Sequence, residues 1–204
     1  MTMIKTNESG RSMIEMLGVL AIIGVLSVGG IAGYSKAMNK FKTNQVADNV
    51  SMLVANIKTL YAQQKSYNGL DNDSAVSMGV VPDELGTDGS SLTNAFNGAV
   101  YIGAGTGTRA DDSFYIIFNG LSREACITLA TNNWGSNYSS GLVGMAVSGS
   151  DTSDGDDDDL TIGCTLDGAD GKVCPGKMPM AVSSAATACS CDSGNECSVL
   201  WKYY

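Results

Sequence analysis

The residue with the most unusual setting in this chain is Glu15, a carboxylate at the start of a long apolar stretch. It is followed by Met16 to Tyr34, 19 residues without a charge or a proline. As a helix this stretch spans about 28 Å, which is enough to cross the hydrocarbon core of a bilayer. A carboxylate in such a setting is costly unless a positive charge pairs with it. We therefore expect Glu15 to have a function, and the chemistry available to it is ion pairing.

The second chemically distinctive group is a set of six cysteines, all of which come after residue 120. They are Cys126, Cys164, Cys174, Cys189, Cys191 and Cys197. An even number of cysteines beyond an apolar segment is typical of disulfides formed in an oxidising compartment. Zinc binding is the alternative, but Cys189 and Cys191 are closer than zinc motifs require, and the chain has no histidine. The residues alone leave the pairing open among fifteen possibilities.

A third group is an aspartate-rich run from Asp154 to Asp159, whose oxygens could bind Ca²⁺. The weak candidates are Asp154, Asp156 and Asp158, but the spacing lacks the distal glutamate of an EF-hand loop. We expect a solvated acidic loop instead, and no metal.

The composition argues against several functional classes. With 12 Lys and Arg against 21 Asp and Glu, the net charge is −9, so we expect no direct nucleic-acid binding. The absence of histidine excludes Ser-His and Cys-His catalysis. We expect a protein that is not an enzyme and has no cofactor.

A long helix must position Glu15. Small residues are frequent in the apolar segment, where they let helices approach closely. Beyond it, apolar residues recur at helical spacing, at Val46, Val50, Leu53, Ile57 and Leu60. Because no proline precedes Pro82, one helix is predicted from Arg11 to about Tyr67.

The rest of the chain reads as short strands separated by turns rich in Gly, Ser, Asp and Asn. Strands are predicted at 99–102, 113–118, 142–147 and 198–204, with Asn119-Gly120 ending the second of them. Ser122 should cap a short helix running to about Thr131. We expect an antiparallel sheet packed on the C-terminal half of the long helix.

The lysines flanking the apolar segment conflict with the cysteines. Lys36, Lys40 and Lys42 follow it, whereas only Lys5 and Arg11 precede it. Counted by charge alone, the C-terminal part would lie in the cytoplasm. The cysteines indicate the opposite side of the membrane.

The N-terminus resembles that of a type IV pilin precursor. It has a short polar leader ending at Gly10, and Glu15 would be the fifth residue of a chain starting at Arg11. Residues 120–129 (GLSREACITL) are similar to the strand-to-helix segment of type IVb pilins, the toxin-coregulated pilin group. Residues 94–98 (NAFNG) resemble the Asn-rich turn of those pilins. Arg11 and the ten-residue leader both depart from the family pattern.

The resemblance implies an α+β type IV pilin fold, in which the C-terminal half of a long N-terminal helix packs on an antiparallel sheet in a disulfide-bonded globular domain. The expected parts are a leader (1–10), an apolar helix for membrane insertion and polymerisation (11–35), an amphipathic continuation (36–68) and a head domain (69–204). In type IVb pilins the second disulfide cysteine lies near the C-terminus, just before a closing strand, so the resemblance implies that Cys126 pairs with Cys189, Cys191 or Cys197, and Cys189 is favoured. Cys164 with Cys174 and Cys191 with Cys197 are then expected as local pairs.

The implied function is that of a major pilin, cleaved between Gly10 and Arg11 by a prepilin peptidase and usually methylated there. It would pass from the inner membrane to an extracellular homopolymer with the help of pilus assembly machinery, serving adhesion, aggregation, motility or DNA transfer. Two alternatives stay open. One is a minor pilin or secretion-system pseudopilin, and the other is a membrane-anchored periplasmic binding domain that never polymerises.

Overall fold

A computed structural model describes most of the chain, and it separates into two compact units, residues 1–40 and 41–204. The described residues are 13–64, 66–105, 112–135, 138–153, 155, 159–161, 164–191 and 196–204. The leader, Gly10, Arg11 and the calcium candidates Asp154, Asp156 and Asp158 lie outside these ranges.

The first unit contains the start of helix α1, which runs over Met13–Tyr61. Every residue from Met13 to Ala37 is exposed. Among the described residues, α1 is the one helix long and apolar enough to cross a membrane.

In the second unit, α1 buries one face against the sheet. Val46, Val50, Leu53 and Ile57 have no exposed surface, as the helical spacing predicts. The prediction for Leu60 is wrong, since it is 42% exposed and Tyr61 is buried in its place. A period of 3.6 residues places Tyr61, four residues after Ile57, closer to the buried face.

The helix ends at Tyr61, so the prediction that it continues to about Tyr67 is wrong. A turn follows, in which the amide of Gln64 donates to the carbonyl of Tyr61. Tyr67 instead packs between two aromatic rings, with centroids 5.2 Å from that of Tyr61 and 4.8 Å from that of Phe114. These contacts between distant residues hold Tyr67 outside the helix.

The sheet of the second unit has seven strands within the described residues, in the order β1-β2-β3-β4-β7-β5-β6. Every neighbouring pair is antiparallel. The strands are β1 (Gly86–Asp88), β2 (Ser91–Thr93), β3 (Ala99–Ala104), β4 (Phe114–Leu121), β5 (Leu142–Ser148), β6 (Lys172–Val173) and β7 (Cys197–Tyr203). The C-terminal strand β7 thus lies between β4 and β5. All four predicted strands are present, and β1, β2 and β6 were not predicted.

Among the described residues, three short α-helices accompany the sheet: α2 (Asn72–Ser77), α3 (Arg123–Ala130) and α4 (Val182–Ala188). Two single-turn 3-10 helices lie at Tyr138–Ser140 and Pro175–Lys177. The predicted cap of α3 is present, with the amide of Ala125 donating to the Ser122 hydroxyl at 3.2 Å. At α2, the Asp71 carboxylate accepts from the amide of Ser74 at 2.7 Å. Hydrogen bonds from the Ser74 backbone and side chain hold the pKa of Asp71 below its usual value.

The core lies between α1 and the inner face of the sheet and centres on Trp201 of β7. Trp201 is fully buried, with its ring edge-on to Phe118 at 6.0 Å and to Trp134 at 5.0 Å. The outer face carries a second, smaller cluster of Ile117, Leu160 and Leu200. The alternation of side chains along β4 and β7 therefore separates two hydrophobic layers.

In and just after the aspartate-rich run, two described residues pack on the sheet. Leu160 is fully buried on the outer face of the sheet, and buried Gly155 packs so closely on the Tyr115 ring that a Cβ atom would overlap it. Of the aspartates, Asp159 forms an ion pair with Lys172 at 2.7 Å. In its described residues, this segment covers the sheet.

Strand β4 does not end at Asn119-Gly120 as predicted, but continues to Leu121. Its register with β7 shifts between Phe118 and Leu121, where Gly120 adopts a φ of +66°. The Asn119 side chain makes two hydrogen bonds with the backbone of Thr152. Its Nδ2 donates to the Thr152 carbonyl at 2.6 Å, and its Oδ1 accepts from the Thr152 N–H at 3.2 Å. The bulge therefore anchors the chain at Thr152, just before the aspartate-rich run.

Replacing Asn119 with alanine should lower the free energy of unfolding by about 1–3 kcal/mol, because the partner groups on Thr152 lose their hydrogen bonds. Denaturant unfolding of the full chain in a non-ionic detergent measures this effect. Asn132 is exposed, so Asn132→Ala is the control and should leave stability nearly unchanged. Equal stability of the two variants would show that the Asn119 bridge contributes nothing.

Candidate assembly surface

The apolar surface of α1 in the first unit is exposed. Its large apolar side chains are all at least 51% exposed, and that of Met13 is 87% exposed. They are Met13, Ile14, Met16, Leu17, Val19, Leu20, Ile22, Ile23, Val25, Leu26, Val28, Ile31 and Tyr34. A continuous apolar surface of this length is unstable in water and requires lipid or other protein chains to cover it.

The glycines of this segment are equally free of contacts. A Cβ atom added at Gly18, Gly24, Gly29, Gly30 or Gly33 would meet no atom within 4 Å. Glycine lowers helix stability by about 1 kcal/mol relative to alanine in water, and no packing within the described chain requires it here. Close approach of another helix is the contact that such small residues favour.

Glu15 lies in the first turn of α1, as the sequence predicts. The positive end of the helix dipole favours a carboxylate at this position. Within the residues that the structure describes, Glu15 has no ion-pair partner. The arrangement therefore places an acid in the first turn of an exposed apolar helix.

Three disulfides hold the second unit together. Cys126 of α3 is bonded to Cys189 at the end of α4, with 63 residues of separation and a Cα–Cα distance of 5.9 Å. The other pairs are Cys164 with Cys174 and Cys191 with Cys197. Cys126–Cys189 is the pair expected from the resemblance, and the other two are the expected local pairs. No cysteine is left free, so the zinc alternative has no thiolate ligand in this oxidised state.

Lys58, in the last turn of α1, joins the helix to the end of the chain. Its ammonium lies 5.1 Å from the ring centroid of Tyr203 and 5.8 Å from that of Tyr204. It also donates to the carbonyl of Ser140 at 3.4 Å. Burial lowers the pKa of Lys58 and raises that of Tyr203. Helical spacing alone did not identify this contact, because it depends on where β7 lies.

Sequence reasoning also missed the role of Asn94, the first residue of the Asn-rich turn. Its side chain donates to the carbonyl of Asn119 at 2.8 Å and accepts from the amides of Phe96 at 2.8 Å and Gly98 at 3.2 Å. A Cβ atom at Gly98 would overlap the Asn119 carbonyl oxygen. The turn is therefore packed tightly against the β4 bulge. The sequence signal for this contact was the asparagine and glycine content of residues 94–98.

Two relatives with known descriptions match this chain over most of its length. A protein from Escherichia coli O111:H-, described as the major structural subunit of bundle-forming pilus, is 28% identical over 200 residues, which is 97% of this chain and 96% of that protein. A protein with the same description from E. coli O127:H6 (strain E2348/69 / EPEC) is 31% identical over 132 residues, which is 64% of this chain and 68% of that protein.

Solved structures show the same fold. The type IV pilin TcpA from Vibrio cholerae El Tor biotype superposes with a TM-score of 0.53 and 16% identity, over 80% of this chain and 99% of that one. A type IVb pilin from Salmonella typhi gives a TM-score of 0.50 and 18% identity, over 76% and 95%. The α+β pilin fold expected from the sequence is therefore confirmed.

A family profile described as PilS N terminal matches residues 40–202, nearly all of the second unit. Together with the relatives and the fold, this match shows that the chain belongs to the PilS N-terminal family and is a type IVb-like pilin.

Proposed function

We propose that this protein is the major structural subunit of a type IV pilus and polymerises through its N-terminal helix. The observation that carries the proposal is the uncovered apolar surface from Met13 to Tyr34, attached to a head that buries its own core. A relative matched over 96% of its length is described as the major structural subunit of bundle-forming pilus. An apolar helix of this length needs lipid before assembly and neighbouring helices after it.

Processing is the first step of the proposed mechanism. A prepilin peptidase cleaves between Gly10 and Arg11, leaving an α-amino group, usually methylated, next to the apolar helix. This step rests on the resemblance of the N-terminus to type IV pilin precursors. Its products are a positive charge at the new terminus and a helix that is still attached to the head.

Glu15 then sets the axial register between subunits. The carboxylate of one subunit meets the α-amino group of a neighbour as both helices enter the bundle. In a medium of low dielectric constant, an unpaired charge is costly, so positions that pair the two charges are strongly favoured over neighbouring registers. Arg11 adds a second cation close to this pair.

The proposed route runs from the inner membrane to the cell surface. The precursor is anchored by α1, with the head on the oxidising side, where its three disulfides form. Pilus assembly machinery then adds subunits to an extracellular fibre, which serves adhesion, aggregation, motility or DNA transfer. The apolar helices form the fibre core and the heads form its outer surface.

The test is to shear the surface of cells that express the protein and to analyse the released material. We expect this chain to be its most abundant protein, in fibres, with an N-terminus at residue 11. A substitution at Gly10 that blocks cleavage should leave unprocessed monomer in the inner membrane. Trace amounts in fibres made of another subunit would instead indicate a minor pilin or pseudopilin, and solitary unprocessed protein would indicate an anchored binding domain.

A further inference from the structure

Two of the three disulfides meet in the core of the head. The Sγ atoms of Cys126, Cys189 and Cys197 all lie within 4.8 Å of one another, although Cys197 is bonded to Cys191. The three sulfurs come from α3, from the end of α4 and from the first residue of β7. The fold therefore brings together three sulfurs that belong to two different bonds.

The two bonds differ in their access to solvent. Cys126, Cys189 and Cys197 have no exposed surface, whereas Cys191 is partly exposed. Cys191 is the one residue of these two pairs with exposed surface, so we expect a thiol in solution to reach the pair Cys191–Cys197 before the pair Cys126–Cys189. Since thiol–disulfide exchange requires contact between the attacking sulfur and the bond, access decides which disulfide reacts first.

We propose that Cys197 relays thiol–disulfide exchange from the protein surface to the buried Cys126–Cys189 bond. In the first step, an external thiolate attacks the Cys191 sulfur. A mixed disulfide forms at Cys191, the Cys191–Cys197 bond breaks, and Cys197 leaves with the electron pair as a thiolate. The co-reactant is any thiol able to reach Cys191, such as a small thiol or the dithiol of an oxidoreductase.

In the second step, the Cys197 thiolate attacks one sulfur of the neighbouring bond. Attack on Cys126 forms a Cys126–Cys197 disulfide and releases Cys189 as a thiolate, which takes up a proton. Attack on Cys189 instead releases Cys126. The number of disulfides is unchanged in this step, so no further oxidant or reductant is needed.

The relay lets the bond that closes the larger loop be opened or corrected while the head remains folded. Cys164 and Cys174 provide an internal contrast, because neither belongs to the cluster of three close sulfurs. Their bond should exchange with neither of the other two.

The test uses the full chain with Cys191→Ser, which leaves Cys197 as a thiol beside the buried bond. Thiols are blocked and the protein is cleaved at acidic pH after Met145, Met178, Met180 and Glu196, which places Cys126, Cys189 and Cys197 on separate fragments. Mass spectrometry of the non-reduced fragments then identifies the bonds. We expect partial loss of the Cys126–Cys189 fragment pair and the appearance of a pair that contains Cys197.

Cys174→Ser is the matched control, since it leaves one thiol at Cys164, outside the cluster. In this variant both remaining disulfides should be unchanged. A Cys191→Ser protein in which Cys126 is bonded only to Cys189 and Cys197 remains a free thiol would overturn the relay.

A second measurement applies if Cys191→Ser fails to fold. The wild-type chain is treated with limiting 2-mercaptoethanol and then alkylated. The relay predicts a mixed disulfide at Cys191 together with alkylation of Cys126 or Cys189. Alkylation of Cys197 alone would contradict it.

Discussion

Glu15→Ala is expected to yield processed protein that stays in the membrane and forms few or no fibres. Without the carboxylate, the new α-amino group of a neighbouring subunit has no partner in the apolar bundle, and several axial positions become similar in free energy. The apolar surface and the head are unaffected, so membrane insertion and folding should continue. Sheared surface material and the membrane fraction are compared by immunoblot and electron microscopy.

Two matched variants make this result specific. Glu15→Gln keeps the size of the side chain but removes its charge, and should also lose fibres. Ser27→Ala changes a polar residue within the same apolar segment and should assemble normally. Normal fibres from Glu15→Ala would remove the register role of this residue, and unprocessed protein would point instead to recognition by the peptidase.

Removing the Cys126–Cys189 bond should produce the largest loss of head stability among the disulfide variants. On the chain-entropy model, closing a loop of 63 residues stabilises the folded state by about 4 kcal/mol. The double variant Cys126→Ala/Cys189→Ala avoids burying hydroxyl groups and leaves no unpaired thiol at either position. Urea unfolding of the full chain in detergent can be followed by the fluorescence of Trp201, which is buried beside Trp134.

The control for loop length is Cys164→Ala/Cys174→Ala. This bond spans 10 residues, for which the same model gives about 3 kcal/mol. Both double variants remove one disulfide, so the difference between them isolates the effect of the loop. A larger loss for the shorter loop would show that local packing, and not chain entropy, dominates the contribution of these bonds.

Local sequence patterns predicted well the helices and strands whose pattern lies within one continuous stretch of the chain. The buried face of α1 follows from helical spacing, and α3 follows from Ser122 as its cap. Short elements escaped prediction because two or three residues, as in β1 or β6, carry too little pattern. Helix α4 lacks a capping side chain at Ala181, which removes the usual start signal.

Other features depend on contacts between distant residues and could not be predicted from local patterns. Asn119-Gly120 is a typical turn pair, but the backbone of Thr152 pairs with Asn119 and converts the site into a bulge. Tyr67 lies outside the helix because its ring packs against those of Tyr61 and Phe114. The pair Cys126–Cys189 was expected only through the family resemblance, and the other two pairs only because their cysteines are close in sequence, since six cysteines do not determine their own pairing.

The candidate site was predictable in part. The position of Glu15 at the start of an exposed apolar helix follows directly from the sequence. The sequence alone could not predict that the glycines of α1 have no contacts, because glycine is also common in membrane helices for other reasons. The proximity of three sulfurs from two bonds had no local signal, since it arises where α3, α4 and β7 converge.

The position of β7 has a consequence for biogenesis. Strands β4 and β5 hydrogen-bond to β7 and not to each other, yet β7 follows both of them in the chain. Because a chain is synthesised from its N-terminus, β4 and β5 each have an unpaired edge until β7 has been made. Closure of the sheet therefore waits for β7, and a chain that stops before β7 lacks the middle of its sheet.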